Sequence, residues 1–205
     1  MVKLESSFIE GSFFISYFLR IMDTNYIESI QKQFRYYKSL GDKTFGQLSE
    51  KQCHWQYNED SNSIALIVKH LVGNMLSRWT NFLTEDGEKE WRHRDTEFED
   101  TYTSKSEIIE AWEKRWSCLF DAIEPLTDGD LNRIVYIRNQ GHTVVEAINR
   151  QLAHYAYHIG QLVYVAKLMK SHEWKSLSIP RNQSAAYNKE KFSKEKHRGH
   201  FTDDV

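Results

Sequence analysis

Apolar residues recur along most of the chain at intervals of three and four, the period of an amphipathic α-helix. The first stripe begins at Ile27 and predicts a helix over residues 24–48, with Asn25 as its N-cap. A second stripe begins at Ile64, after a polar stretch, and predicts a helix over residues 63–84. Because the chain has only 2 prolines and 9 glycines, these stripes meet few helix breakers.

Two further helix starts are predicted by capping boxes, in each of which Ser or Thr precedes Glu by three residues. Ser104 opens such a box before a Trp-rich apolar stripe and predicts a helix over 105–124, which Pro125 follows. Thr143 opens the other box and predicts the longest helix, 143–170. Four long amphipathic helices predict an all-α, up-and-down four-helix bundle.

The remaining segments follow no helical period. Residues 85–103 mix acidic, basic and aromatic side chains and predict a long structured loop, whereas the β-branched stretch 133–141 predicts a short extended arm or irregular hairpin. We expect residues 1–21 to be an N-terminal extension and residues 22–188 to form the single domain. The charged segment 189–205 is typical of a disordered tail.

Composition narrows the possible functions. A chain of 205 residues, 40% hydrophobic and 14% aromatic, suits one core. With a formal charge of −2, the chain lacks the excess of basic residues that is typical of nucleic-acid-binding proteins. The apolar run 13–19 is too short to span a bilayer. Two isolated cysteines, Cys53 and Cys118, favour a reducing, cytoplasmic location. We therefore expect neither a nucleic acid nor a membrane as partner.

Histidines supply the strongest chemical signal. His154 and His158 are four residues apart on a predicted helix, so their imidazoles share one face and have the spacing of metal ligands. His70, on the second predicted helix, has a similar offset from its apolar stripe. Three imidazoles would leave positions on a divalent ion open, as in catalytic sites. Spacing alone leaves open that these histidines are merely solvated or hydrogen-bonded side chains.

Polar side chains extend both histidine faces. Asn74 and Arg78 follow His70 on its helix, and Arg150 and Gln161 flank the histidine pair. These four residues are candidates for substrate binding in a shared cleft. The alternative is that they only cover helix surfaces or, for Arg78, form a salt bridge.

Several segments of the chain resemble a known superfamily. SIALIVKHLVGNM and RQLAHYAYHIGQLVYVAKLM are similar to the DinB-like, or YfiT-like, metal-binding four-helix proteins, and the resemblance covers Met22 to about Asn188. GNMLSRWTNFLTEDGEKEWRHRD and LSIPRNQSAAYN resemble one branch without an assigned function, although Asn182 stands where we expect Gly. The resemblance implies a metal held by His70, His154 and His158, and a homodimer.

Relatives in that superfamily include bacillithiol-dependent S-transferases and a mycothiol-dependent maleylpyruvate isomerase. The resemblance thus implies a metal-dependent enzyme, with zinc or nickel preferred, that activates a low-molecular-weight thiol against a small-molecule substrate. Arg78 or Arg150 would hold a carboxylate of the thiol. Two alternatives stay open: a non-enzymatic, stress-related metal-binding or interaction protein, and a metal-dependent hydrolase.

Overall fold

The computed structural model describes the backbone of residues 6–203 and the side chains of residues 25–203. Over these residues the chain is mostly helical, in agreement with the predicted all-α class, and the helices are α1 (Ser6–Phe45), α2 (Glu50–Cys53), α3 (Ile64–Trp79), α4 (Lys105–Ile123), α5 (Val144–Lys170) and α6 (Ser184–Phe192). Two short antiparallel strands, β1 (Ile134–Ile137) and β2 (Gln140–Thr143), form a hairpin before α5.

The four long helices enclose one hydrophobic core. Helix α3 packs against α4 and α5, and α1 packs against the same two helices. Aromatic side chains from three of the helices meet in the centre, where Phe34, Trp116 and Tyr155 lie with ring centroids 6.0 to 6.4 Å apart. Burying rings of this size supplies much of the hydrophobic stabilisation. The up-and-down bundle topology remains a prediction.

Side-chain caps explain where two of the helices begin. Ser63 Oγ accepts a hydrogen bond of 3.2 Å from the backbone N–H of Leu66 at the start of α3. Thr143 and Glu146 form the complete capping box predicted for α5. The predicted end of α3 at residue 84 is wrong: the helix ends at Trp79, because Thr80 is extended with ψ of 121° and Asn81 adopts a left-handed backbone with φ of 50°.

Helix α1 differs from its predicted bounds of 24–48. Its backbone is helical from Ser6, so Asn25 lies inside the helix and is not an N-cap, and the helix ends at Phe45. Since the sequence around Asn25 contains no Pro, nothing in the backbone forces the helix to begin there. The expected extension over residues 1–21 lies outside the residues whose side chains are described.

The predicted arm at 133–141 is a regular hairpin that anchors the loop after α3. Arg138 and Asn139 form its turn with φ of 57° and 59°. The Asp86 carboxylate accepts hydrogen bonds of 2.8 Å from the backbone N–H groups of both turn residues. Gly87 N–H donates to the Tyr136 carbonyl at 2.8 Å. The hairpin therefore holds the first part of the loop in place.

The C-terminal segment returns to α1. Asn182 has φ of 68°, a left-handed conformation that Asn tolerates better than most residues other than Gly. Two residues of the segment 189–205, for which composition predicts disorder, contact α1. His200 Nε2 lies 3.2 Å from Ser29 Oγ, and Asp203 forms an ion pair with Lys32 at 3.0 Å. Among the described residues, no helix combines the length and apolar character needed to cross a membrane.

Candidate metal centre

Three histidine side chains converge between α3 and α5. His70 extends from α3, while His154 and His158 lie one turn apart on α5. The Nε2 atom of His154 is 3.3 Å from Nε2 of His70 and 3.1 Å from Nε2 of His158. The three residues can present ligand atoms that all lie within 4.8 Å of one another. The structure thus brings together the three residues that the sequence singled out.

The surroundings of His154 and His158 disfavour their protonation. Burial, together with the smaller effect of positive charge on His158 and His70, lowers the pKa of His154 to about 3. Burial also lowers the pKa of His158, although its hydrogen bond with Gln161 acts in the opposite direction. At neutral pH these two imidazoles are therefore uncharged, which is the form that binds metals.

Hydrogen bonds fix the tautomer of two histidines. The His70 Nδ1–H donates to Glu97 Oε2 at 2.9 Å, because an ionised carboxylate can only accept. The His158 Nδ1–H donates to the amide oxygen of Gln161 at 2.8 Å. In the neutral form of both rings the proton is therefore on Nδ1, and Nε2 offers a lone pair toward the cluster. This donor set suits a transition metal.

Glu97 belongs to a buried ionic network that sequence reasoning missed. Arg92 donates to its two carboxylate oxygens, from Nε at 2.8 Å and from Nη2 at 3.0 Å. Burial raises the pKa of Glu97, but hydrogen bonds from His70 and Arg92 outweigh this effect, and the pKa is lowered. Glu88 then accepts from both Arg92 and Arg78, at 3.3 and 3.0 Å. Negative and positive side chains therefore alternate from Glu97 through Arg92 and Glu88 to Arg78 on α3.

The same loop covers one side of the cluster. A 3₁₀ turn, Arg94–Phe98, packs on α3 and holds Glu97 and Phe98 beside His70. The Phe98 ring stacks on the imidazole of His70, with centroids 5.5 Å apart and planes inclined by 22°. Because Phe98 remains 40% exposed, it lies at the edge of the site.

The four candidate substrate-binding residues lie in different environments. Asn74 is buried, and its Oδ1 accepts a hydrogen bond of 3.0 Å from the Tyr155 hydroxyl. Arg78 is also buried, where it pairs with Glu88 and donates to the carbonyl of Gly87, and burial lowers its pKa. Gln161 accepts the hydrogen bond from His158 Nδ1. Arg150 is exposed, one turn before His154, with Nη1 3.4 Å from His142 Nε2.

The two cysteines do not resemble catalytic nucleophiles. Cys53 is fully buried, which raises the pKa of its thiol. The neighbouring His54 pairs with Asp100 through Nδ1 at 2.6 Å. Burial likewise raises the pKa of Cys118, on α4. A thiol for group transfer would therefore have to come from a cosubstrate.

Comparison with protein families gives a match over most of the chain. Residues 22–183 match the model of a family described as "Protein of unknown function (DUF1572)". The chain belongs to the DUF1572 family. No curated protein matches this DUF1572 chain. The matched range includes the three histidines together with Arg92 and Glu97, so the complete cluster and its ionic support lie within the family domain.

Proposed function

We propose that this DUF1572 protein is a DinB-like, metal-dependent enzyme that activates a thiol, and that His70, His154 and His158 hold the metal. The observation that carries the proposal is the convergence of three imidazole Nε2 atoms, two of them with their protons fixed on Nδ1. Three imidazole nitrogens suit zinc or nickel and leave at least one coordination position open. An open position is what a catalytic metal needs.

A divalent ion held by these residues would supply positive charge that lowers the pKa of a thiol or a water. The protein would contribute three fixed nitrogen donors and a half-buried surface in which electrostatic attraction is stronger than in water. Arg150 is the exposed cation among the four candidate substrate-binding residues, and its planar guanidinium suits a carboxylate of the thiol or the substrate.

The first experiment is elemental analysis by plasma mass spectrometry on untagged protein purified without chelator. We expect near-stoichiometric zinc or nickel in wild type and loss of the metal in the His70→Ala and His154→Ala variants. His172→Ala is the matched control, because this exposed histidine lies in a short turn after α5 and should leave the metal content unchanged. Wild-type protein that takes up no metal even after reconstitution would contradict the proposal.

A second experiment separates the possible activities. The metal-loaded protein is incubated with electrophiles in the presence and absence of low-molecular-weight thiols, and metal-dependent conjugation supports thiol transfer. Cleavage of esters or amides without added thiol would instead favour a hydrolase. A metal bound without an exchangeable position would favour the non-enzymatic alternative.

The homodimer implied by the family resemblance is a separate prediction, tested by light scattering.

A further inference from the structure

Glu97 is the one carboxylate that contacts a histidine of the cluster in the described part of the chain. It lies in the loop between α3 and α4, yet it is only 5% exposed. Its Oε2 accepts from His70 Nδ1, on the side of the ring opposite Nε2. A carboxylate in this position determines both which ring nitrogen carries the proton and how the ring is oriented.

Arg92 holds the Glu97 carboxylate in that position. Its side chain is 3% exposed, and Nε and Nη2 reach one carboxylate oxygen each. Two parallel hydrogen bonds of this kind fix the carboxylate plane, which a single lysine contact would not do. A buried carboxylate without this partner would be costly, so Arg92 also keeps Glu97 ionised.

Gly73 provides the space that Glu97 occupies. A Cβ atom added at Gly73 would lie 2.2 Å from Glu97 Oε1 and 2.7 Å from Cδ, closer than non-bonded atoms allow. Gly73 lies inside α3, where Gly is less favourable than Ala. A residue that disfavours the helix therefore stands at the position where the Glu97 carboxylate packs against α3.

We infer that Glu97 is a positioning residue of the metal centre: it holds the His70 proton on Nδ1 and directs Nε2 at the metal, with Arg92 and Gly73 as its supports. The inference rests on the proposed metal site, and it assigns a role to a loop residue that is not itself a ligand. Removing Glu97 should weaken metal binding although all three ligands remain.

The test measures metal affinity by competition with a chromogenic chelator. Glu97 Oε2 accepts from both His70 Nδ1 and Arg92 Nη2, and Oε1 accepts from Arg92 Nε. In Glu97→Gln, the amide NH₂ group takes one of these two positions, so either Arg92 Nε, or both His70 Nδ1 and Arg92 Nη2, are left without an acceptor. We expect binding 10- to 100-fold weaker, roughly the usual effect of losing such an outer partner. Gly73→Ala keeps every charge and ligand but displaces the carboxylate, and it should weaken binding in the same direction.

Asp100→Asn is the matched control for this experiment. It removes a second carboxylate–imidazole pair, with His54, that does not contact the cluster, and its metal affinity should equal that of wild type. Circular dichroism establishes that each variant remains folded. Wild type without metal would overturn the proposed function itself, whereas metal-binding wild type with unweakened Glu97→Gln and Gly73→Ala variants would overturn only the role of Glu97.

A second readout needs neither metal nor activity. Long-range ¹H–¹⁵N correlation spectra of the chelator-treated protein, at slightly alkaline pH, distinguish the two neutral tautomers of each histidine. We expect the Nδ1–H form of His70 in wild type and a mixture of the two forms in Glu97→Gln. A folded wild type with the Nε2–H form of His70 would contradict the inference.

Discussion

The indole Nε1–H of Trp79 donates a hydrogen bond of 2.9 Å to the hydroxyl oxygen of Tyr155, joining α3 to α5 inside the core. The hydroxyl in turn donates to Asn74 Oδ1 at 3.0 Å. Tyr155 directly follows His154 in the chain, so this buried hydrogen-bonded chain also fixes the backbone that carries one histidine of the cluster. Of two adjacent residues in α5, Tyr155 therefore stabilises the core and His154 belongs to the histidine cluster.

Tyr155→Phe should lower the free energy of unfolding by about 1–3 kcal/mol, because it leaves a buried donor on Trp79 and a buried acceptor on Asn74 without their partner. Urea titration followed by circular dichroism measures the change. Tyr157→Phe removes the same atom from a ring that is 63% exposed and should be close to neutral. Equal stability of the two variants would contradict the prediction.

A pair of glycine substitutions tests the packing of the helices. Gly41→Ala would place a Cβ atom 2.3 Å from Cζ2 of Trp112, so we expect a loss of about 1–3 kcal/mol from overpacking between α1 and α4. Gly160→Ala meets no atom within 4 Å and should stabilise the exposed face of α5 by about 0.5–1 kcal/mol. Thermal unfolding should therefore give a lower Tm than wild type for Gly41→Ala and a higher Tm for Gly160→Ala.

The metal-free protein should lose stability as the pH falls below about 6.5, the ordinary pKa of histidine. Burial holds the pKa of His154 at about 3 in the folded state, so between these values the unfolded chain binds a proton that the folded chain excludes. Urea midpoints measured in chelator from neutral to acidic pH test this expectation. His154→Gln should show a weaker dependence in the same range, and a slope equal to that of wild type would count against it.

The cap of α5 offers a local test of helix stability. Thr143 Oγ1 accepts from the Glu146 N–H at 3.2 Å, and the Glu146 carboxylate accepts from the Thr143 N–H at 2.7 Å. Thr143→Ala should therefore cost about 1 kcal/mol. Thr101→Ala, at an exposed loop position, should be neutral in the same denaturation assay. A neutral Thr143→Ala would show that β2 alone fixes the start of α5.

Local signals predicted the bounds of α4 and α5 to within about one residue. At α5 the Thr143–Glu146 box is complete, but at α4 the Glu107 carboxylate accepts from Thr103 N–H instead of the N-cap. The end of α3 was harder to predict, since Phe82 continues the apolar stripe while packing on the core from a turn. Periodicity reports burial, and a buried turn residue can imitate one more helical turn.

The histidine pair of α5 could be predicted from helix geometry and His70 from the family resemblance, whereas Glu97 could not be predicted. His154 and His158 are separated by one helical turn, so the sequence alone places them together. Glu97 reaches His70 across 27 residues, from a loop with no period to mark its orientation. The concentration of Arg and Glu between α3 and α4 was the available signal, but it indicates a charged loop and not which carboxylate turns inward.

The ligands of the proposed centre are far apart along the chain. His70 and His154 are separated by 84 residues, and the segment between them contains α4 and the hairpin. An ion bound to both would act as a reversible cross-link that closes a loop of this length, which restricts the unfolded chain by an amount on the order of 4 kcal/mol. With Cys53 and Cys118 both free, that coordination bond would do for this fold what a disulfide does for a secreted one.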